Sequence, residues 1–198
     1  MLDFLPLATY CFVMSITPGP NNVMVTASGV TFGYRRTIPH MLGISLGCGF
    51  QIVLVALGVG AIFEWWPWLQ DTLRWAGAAY LTYLAWRLLQ AGLVVGEAEG
   101  RARPLTFLEA AAFQFLNPKA WMIAITTATV FLPKDMNPLL GSLYTALVLA
   151  IVNYPSISVW TLFGTGMRRL LGSERLRQAF SIGLAVALVG TGAAMLWE

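Results

Sequence analysis

The stretch FLPLATYCFVMSITPGPNNVMVTASGV, residues 4–30, decides the fold of this chain. It holds no Asp, Glu, Lys or Arg, and it exceeds the about 20 apolar residues a helix needs to cross a hydrocarbon core. Its middle reads Thr17-Pro18-Gly19-Pro20-Asn21-Asn22. Proline removes a backbone donor and clashes with the preceding turn, so two prolines flanking a glycine open the helix over several residues. The break begins about 13 residues into the span, roughly 20 Å deep at 1.5 Å per residue. Non-helical backbone at that depth is tolerated only inside protein or beside a watery cavity. A half-helix starting near Asn21 presents backbone amides and a partial positive charge, which suit a carboxylate. Thr17, Asn21 and Asn22 add neutral donors and acceptors. The competing account is a packing kink satisfied by neighbouring helices.

A second broken stretch, Asn117-Pro118-Lys119-Ala120-Trp121, lies about 10 residues, or roughly 15 Å, into another apolar span. Lys119 is the one formal charge deep in any span. An intramembrane ionisable group is costly and usually functional. Lys119 either binds a carboxylate, changes protonation during transport, or satisfies carbonyls freed by the facing break. Asn153-Tyr154-Pro155 reads as a third interruption, with Asn153 a cavity-lining candidate or part of a local kink. Gln51, Tyr80, Tyr83 and Gln114 are explained by interhelical hydrogen bonds.

The whole chain fits this reading. Its 198 residues are 58% hydrophobic and 11% charged, with a mean hydropathy of +0.70, against about a quarter charged in soluble domains. That makes a water-soluble enzyme a poor reading. A net charge of +3, scattered along the chain, gives no nucleic-acid footprint. Charged residues bracket six apolar stretches, at about 4–30, 39–63, 72–94, 107–132, 139–166 and 178–197. The N-terminal residues read as the first span rather than a signal peptide. Arg35, Arg36, Arg87, Arg101, Arg103, Arg168, Arg169, Arg175 and Arg177 fall on one side, and only Arg74 and Lys134 on the other. That bias puts the odd loops in the cytoplasm and both termini outside, in the periplasm. Trp65, Trp66, Trp68 and Trp197 fall at the outer interface. Asp3, Glu109 and His40 read as interfacial.

The first and fourth spans share a central break, and the second and fifth both end near a Gly-x-Gly. Three helices per half is odd, so the halves are inverted copies, a common transporter plan. The sequence thus predicts an all-α polytopic membrane protein of one domain, residues 1–198. Six transmembrane helices form two inverted three-helix repeats, about 1–96 and 105–198, the first and fourth helices broken at their proline motifs.

At these residues the sequence resembles the LysE/RhtB family of amino-acid exporters. The matching motifs are Pro-Gly-Pro-Asn at 18–21, Asn-Pro-Lys-Ala at 117–120, Gly-Ala-Ala-Tyr-Leu at 77–81, and the spacing of Gly29, Gly33, Gly43 and Gly47. The resemblance covers essentially the whole chain. It implies an inner-membrane secondary transporter, not an enzyme, exporting amino acids or close derivatives under the proton-motive force. It also implies the inverted repeat, and it carries the broken-helix motifs onto Pro18, Gly19, Pro20, Asn21, Asn117, Pro118 and Lys119.

The expected substrate site is therefore Thr17, Pro18, Gly19, Pro20, Asn21, Asn22, Asn117, Pro118, Lys119 and Asn153, with no catalytic residue, metal or cofactor. The expected partners are a small zwitterionic amino acid, protons, the lipid bilayer and a possible homodimer. One repeat rocking against the other would expose the site to each side in turn. Two alternatives are weighed: a thiol-redox carrier using Cys11 and Cys48, neither read as adjoining a break, and a heavy-metal exporter, for which the spans show no ligand cluster.

Overall fold

The computed structural model describes residues 4–61, 65–91, 103–133 and 135–197. Asp3, Arg101 and Lys134 lie outside the described residues, as do the far ends of the second and third apolar stretches. The described residues form eight α-helices and no strand. They are α1 (Phe4–Ile16), α2 (Pro20–Phe32), α3 (Tyr34–Ala56), α4 (Pro67–Ala91), α5 (Phe107–Phe113), α6 (Pro118–Val130), α7 (Pro138–Leu170) and α8 (Glu174–Ala194).

Both expected breaks are present. Thr17-Pro18-Gly19 separates α1 from α2, and Pro20 opens α2 as its first residue behind an extended Gly19, the position where a missing N–H costs nothing. In the second stretch, α5 tightens into a 3-10 turn at Gln114–Leu116 and stops at extended Asn117, whose side chain caps the next helix by accepting from the Lys119 amide. α5 begins at a capping box in which Thr106 and Glu109 each hold the other's backbone amide. Gly33 joins α2 to α3 at φ +80°, a backbone angle that side chains resist.

The third expected interruption is absent. α7 runs unbroken from Pro138 to Leu170 through Pro155. A single proline frees one carbonyl, and the turns on either side carry the helix past it. At Pro18 and Pro20 two donors go missing around a residue with no side chain.

Among the described residues three helices, α3, α7 up to Arg168, and α8, are long and apolar enough to cross a membrane. The halves α1 and α2 have 13 residues each, about 20 Å, so either one alone falls short of the about 30 Å core. Large apolar side chains such as Phe12, Leu46, Phe50, Ile151, Leu162, Phe163 and Val186 are exposed, as lipid-facing residues are.

The helices pack across the two halves of the chain. α2 lies along α7, α3 receives both α5 and α6, α1 leans on α7, α3 meets α7, and α4 pairs with α8. Small residues set these approaches. A Cβ on Gly29 would collide with the Thr161 carbonyl oxygen, and one on Gly164 with that of Thr26. Gly43 stands against the Phe107 carbonyl and Gly47 against Ala111. One core gathers Leu7, Cys11, Val25, Ile44, Ile52, Ala124 and Leu149 from both halves.

α3 starts at Tyr34, ahead of the expected 39, so His40 stands in the second turn, and it is only 2% exposed.

Candidate functional site

The first break frees a run of carbonyls, and three side chains take them up. Asn22 Nδ2 donates to the Ser15 carbonyl at 3.0 Å and to that of Thr17 at 2.7 Å. Trp160 Nε1 of α7 donates to the Ile16 carbonyl at 3.1 Å. Lys119 Nζ, at the start of α6, donates to the Thr17 carbonyl and hydroxyl, each at 2.9 Å, and to the Pro18 carbonyl at 3.3 Å. An ammonium has three donors, and the facing break offers it three oxygens. Gly19 makes room for it: a Cβ there would stand 3.1 Å from Lys119 Cδ.

The second break is served in the same way. Gln51 Nε2 of α3 donates to the Gln114 carbonyl at 3.0 Å, and Trp121 Nε1 to the Phe115 carbonyl at 2.9 Å. The Gln114 side chain ties the two breaks together. Asn21 Nδ2 donates to Gln114 Oε1 at 2.8 Å, while Gln114 Nε2 donates to Asn21 Oδ1 at 3.2 Å and to the Ala110 carbonyl at 2.8 Å. The Cys48 thiol also donates to Gln114 Oε1, at 3.3 Å. On the other flank Asn153 Nδ2 donates to Ser15 Oγ at 2.9 Å and accepts from Ser45 Oγ at 2.8 Å.

Between these groups lies a cavity of about 20 Å³ walled by Gly19, Pro20, Asn21, Asn22, Cys48, Asn117, Lys119 and Asn153. That is room for about one water and too little for an amino acid. Seven of the ten expected site residues meet at this void. Thr17 and Pro18 are exposed and present their oxygens to Lys119. Pro118 faces a separate small void with Arg74 and Trp121.

Four residues in this seam lay outside the expected site. Ser15 and Ser45 anchor Asn153; Gln114 anchors Asn21 and is itself held by Cys48. Cys48 therefore does adjoin a break, contrary to the sequence reading, while Cys11 is buried at α1. Both thiols are free. The Ser15, Ser45 and Cys48 side chains give no pattern in sequence, because an apolar helix in lipid has no polar face to mark its inward side; Gln114 makes the interhelical hydrogen bonds expected of it.

At the Arg-rich end, Arg103 holds Glu109 in a two-pronged ion pair with both contacts at 2.6 Å, and this hydrogen-bonded carboxylate raises the pKa of Arg103. Glu109 keeps 40% of its side chain exposed.

Comparison with known proteins agrees on a single family. The LysE type translocator family profile matches residues 12–198. The cysteine/O-acetylserine efflux protein of Escherichia coli (strain K12) is 31% identical over 185 residues, 91% of each chain. The protein of the same description from Shigella sonnei (strain Ss046) has the same identity and coverage, and that of Escherichia coli O1:K1 / APEC is 30% identical over 91% of each chain. No solved structure gives a significant match.

Proposed function

The chain belongs to the LysE type translocator family, whose members are transporters and not enzymes, and from that premise we propose that it exports small zwitterionic amino acids or their derivatives across the inner membrane. The names of its relatives make cysteine and O-acetylserine the first substrates to try. The observation that carries the proposal is the void between the two breaks, with Lys119 and four amides at its wall.

The mechanism follows from what Lys119 now holds. A substrate carboxylate competes with the Thr17 and Pro18 carbonyls for the ammonium, and it adds the attraction of a full opposite charge that a neutral carbonyl lacks. When the carboxylate wins, the first break loses a clamp and the half-helix α2 is free to shift. The amides of Asn21, Asn22, Asn117 and Asn153 orient the ligand. With room for about one water, this is a closed state, and alternating access proceeds from it by opening toward one side and then the other. The proton-motive force drives the cycle.

Packing supports the six-span, inverted-repeat reading. α1 and α2 lie on α7, as α5 and α6 lie on α3, and α3 meets α7 as α4 meets α8, the reciprocity a two-fold axis in the membrane plane requires. The arginine bias supports periplasmic termini.

The test is flux from proteoliposomes loaded with labelled O-acetylserine, cysteine or other amino acids under an imposed proton gradient. We expect saturable, gradient-dependent flux, cut about tenfold or more in Lys119→Ala by loss of a charge-assisted contact. Absence of flux for every amino acid, or wild-type flux in Lys119→Ala, overturns the reading.

A further inference from the structure

The chain's single histidine borders a second cavity, of about 160 Å³, far above the about 10–15 Å³ one water needs. This cavity follows α2 from Met24 past Ser28 and Thr31 to Phe32, about 12 Å of helix. His40 of α3, Arg87 of α4 and Arg103 supply its other polar walls, and most of the rest is apolar. The polar groups differ in what they already hold. Ser28 Oγ is paired with Thr37 Oγ1 at 2.9 Å, Thr31 donates to the Ala27 carbonyl, and Arg103 is committed to Glu109. Arg87 reaches the Tyr83 hydroxyl only at 3.4 Å. His40 is 2% exposed, and among the described residues neither Nδ1 nor Nε2 has a hydrogen-bond partner. A buried imidazole facing a roomy cavity with both nitrogens unmet is a site waiting for a polar ligand.

We propose that this cavity is the cytoplasmic receiving site for the substrate, whose carboxylate sits between the Arg87 guanidinium and the His40 imidazole before it passes to the central void. An arginine offers a fixed fork of donors matched to a carboxylate, and the apolar wall suits a short side chain or an acetyl group. The route inward is marked on α2. Asn21, Met24 and Ser28 fall on one face of the helix; Asn21 borders the central void, Met24 and Ser28 the larger cavity. The Asn21–Gln114 amide pair thus stands between the two chambers as the inner door. This inference rests on the export reading and adds a second station to it.

A solitary histidine makes the test direct. The full chain, purified through a histidine-free tag into nanodiscs of zwitterionic lipid and labelled with 15N-histidine, gives one imidazole to watch by NMR. O-acetylserine should shift both ring nitrogens saturably, its carboxyl methyl ester should not, and Arg87→Gln should weaken the response about tenfold. A silent imidazole, or equal shifts with the ester, overturns the proposal. So does a shift that appears only on adding anionic lipid, which would make the cavity a lipid-headgroup site. In the flux assay, His40→Gln should raise the half-saturating concentration from the cytoplasmic side while the wild type transports. Wild-type flux with a silent His40 sinks this site alone; absence of flux in the wild type sinks the export reading itself.

Discussion

Lys119 is shared among three oxygens of one broken turn, so its removal acts twice. Lys119→Ala leaves the Thr17 and Pro18 carbonyls short of a donor, and the melting of the purified protein should report a loss of about 1–3 kcal/mol alongside the loss of flux. Gly19→Ala separates the two effects. The added methyl would stand 3.1 Å from Lys119 Cδ, so the flexible side chain gives by a few tenths of an ångström; flux should fall several-fold while stability changes by less than about 1 kcal/mol. Cys48 supplies a further readout. It and Cys11 are the chain's two thiols and both are buried. With substrate cycling, Cys48 should become reactive to a small maleimide and Cys11 should stay silent, as mass spectrometry of the two peptides would record. Equal labelling of both would mean global loosening rather than a local opening. The residues that sequence picked out, Asn21, Asn117 and Lys119, were legible because they adjoin prolines. Ser15 and Ser45 were not, since their facing depends on neighbours far along the chain, while Gln114 makes the interhelical hydrogen bonds expected of it. The burial of His40 was not legible because Arg35 and Arg36 just before it are exposed, while Thr37, His40 and Met41 on the other face of the same turns point inward.

Among the helices, the tightest joints are backbone against backbone. Gly29 of α2 fits beneath Thr161 of α7, and Gly164 of α7 beneath Thr26 of α2. A methyl at either must push two helices apart, so Gly29→Ala and Gly164→Ala should each cost about 1–3 kcal/mol, whereas Gly183→Ala, which meets no atom within 4 Å, should leave the melting temperature unchanged. The same contrast explains which breaks could be read in advance. Pro18 and Pro20 flank a residue without a side chain and the helix ends there; Pro155 stands between helical turns on a long helix held by Trp160, Thr161 and Gly164, and the helix continues. Helix limits were less legible than breaks. α3 starts at Tyr34 behind the positive-φ Gly33 and α4 starts at a proline, Pro67, features that hydropathy does not register.

For the molecule as a whole, the arginine bias makes a topology prediction. A reporter active only in the periplasm should work when fused after Trp197 and fail when inserted near Arg35 or Arg103; the opposite pattern would invert the proposed direction of export. The all-helical class was legible because backbone in lipid must be paired internally, and long apolar runs without period-2 alternation do that as helices. The pairing of helices was not, because it depends on glycine notches that only become meaningful once two distant segments meet. That pairing has a consequence for how the chain is divided. The front portion lays α2 along α7, and the rear portion lays α5 and α6 along α3, so the two portions clasp each other like interlaced fingers. Neither portion keeps a hydrophobic interior to itself. A gene split between residues 92 and 102 should therefore yield two inert fragments when each is made alone, and a working exporter when both are made in one cell.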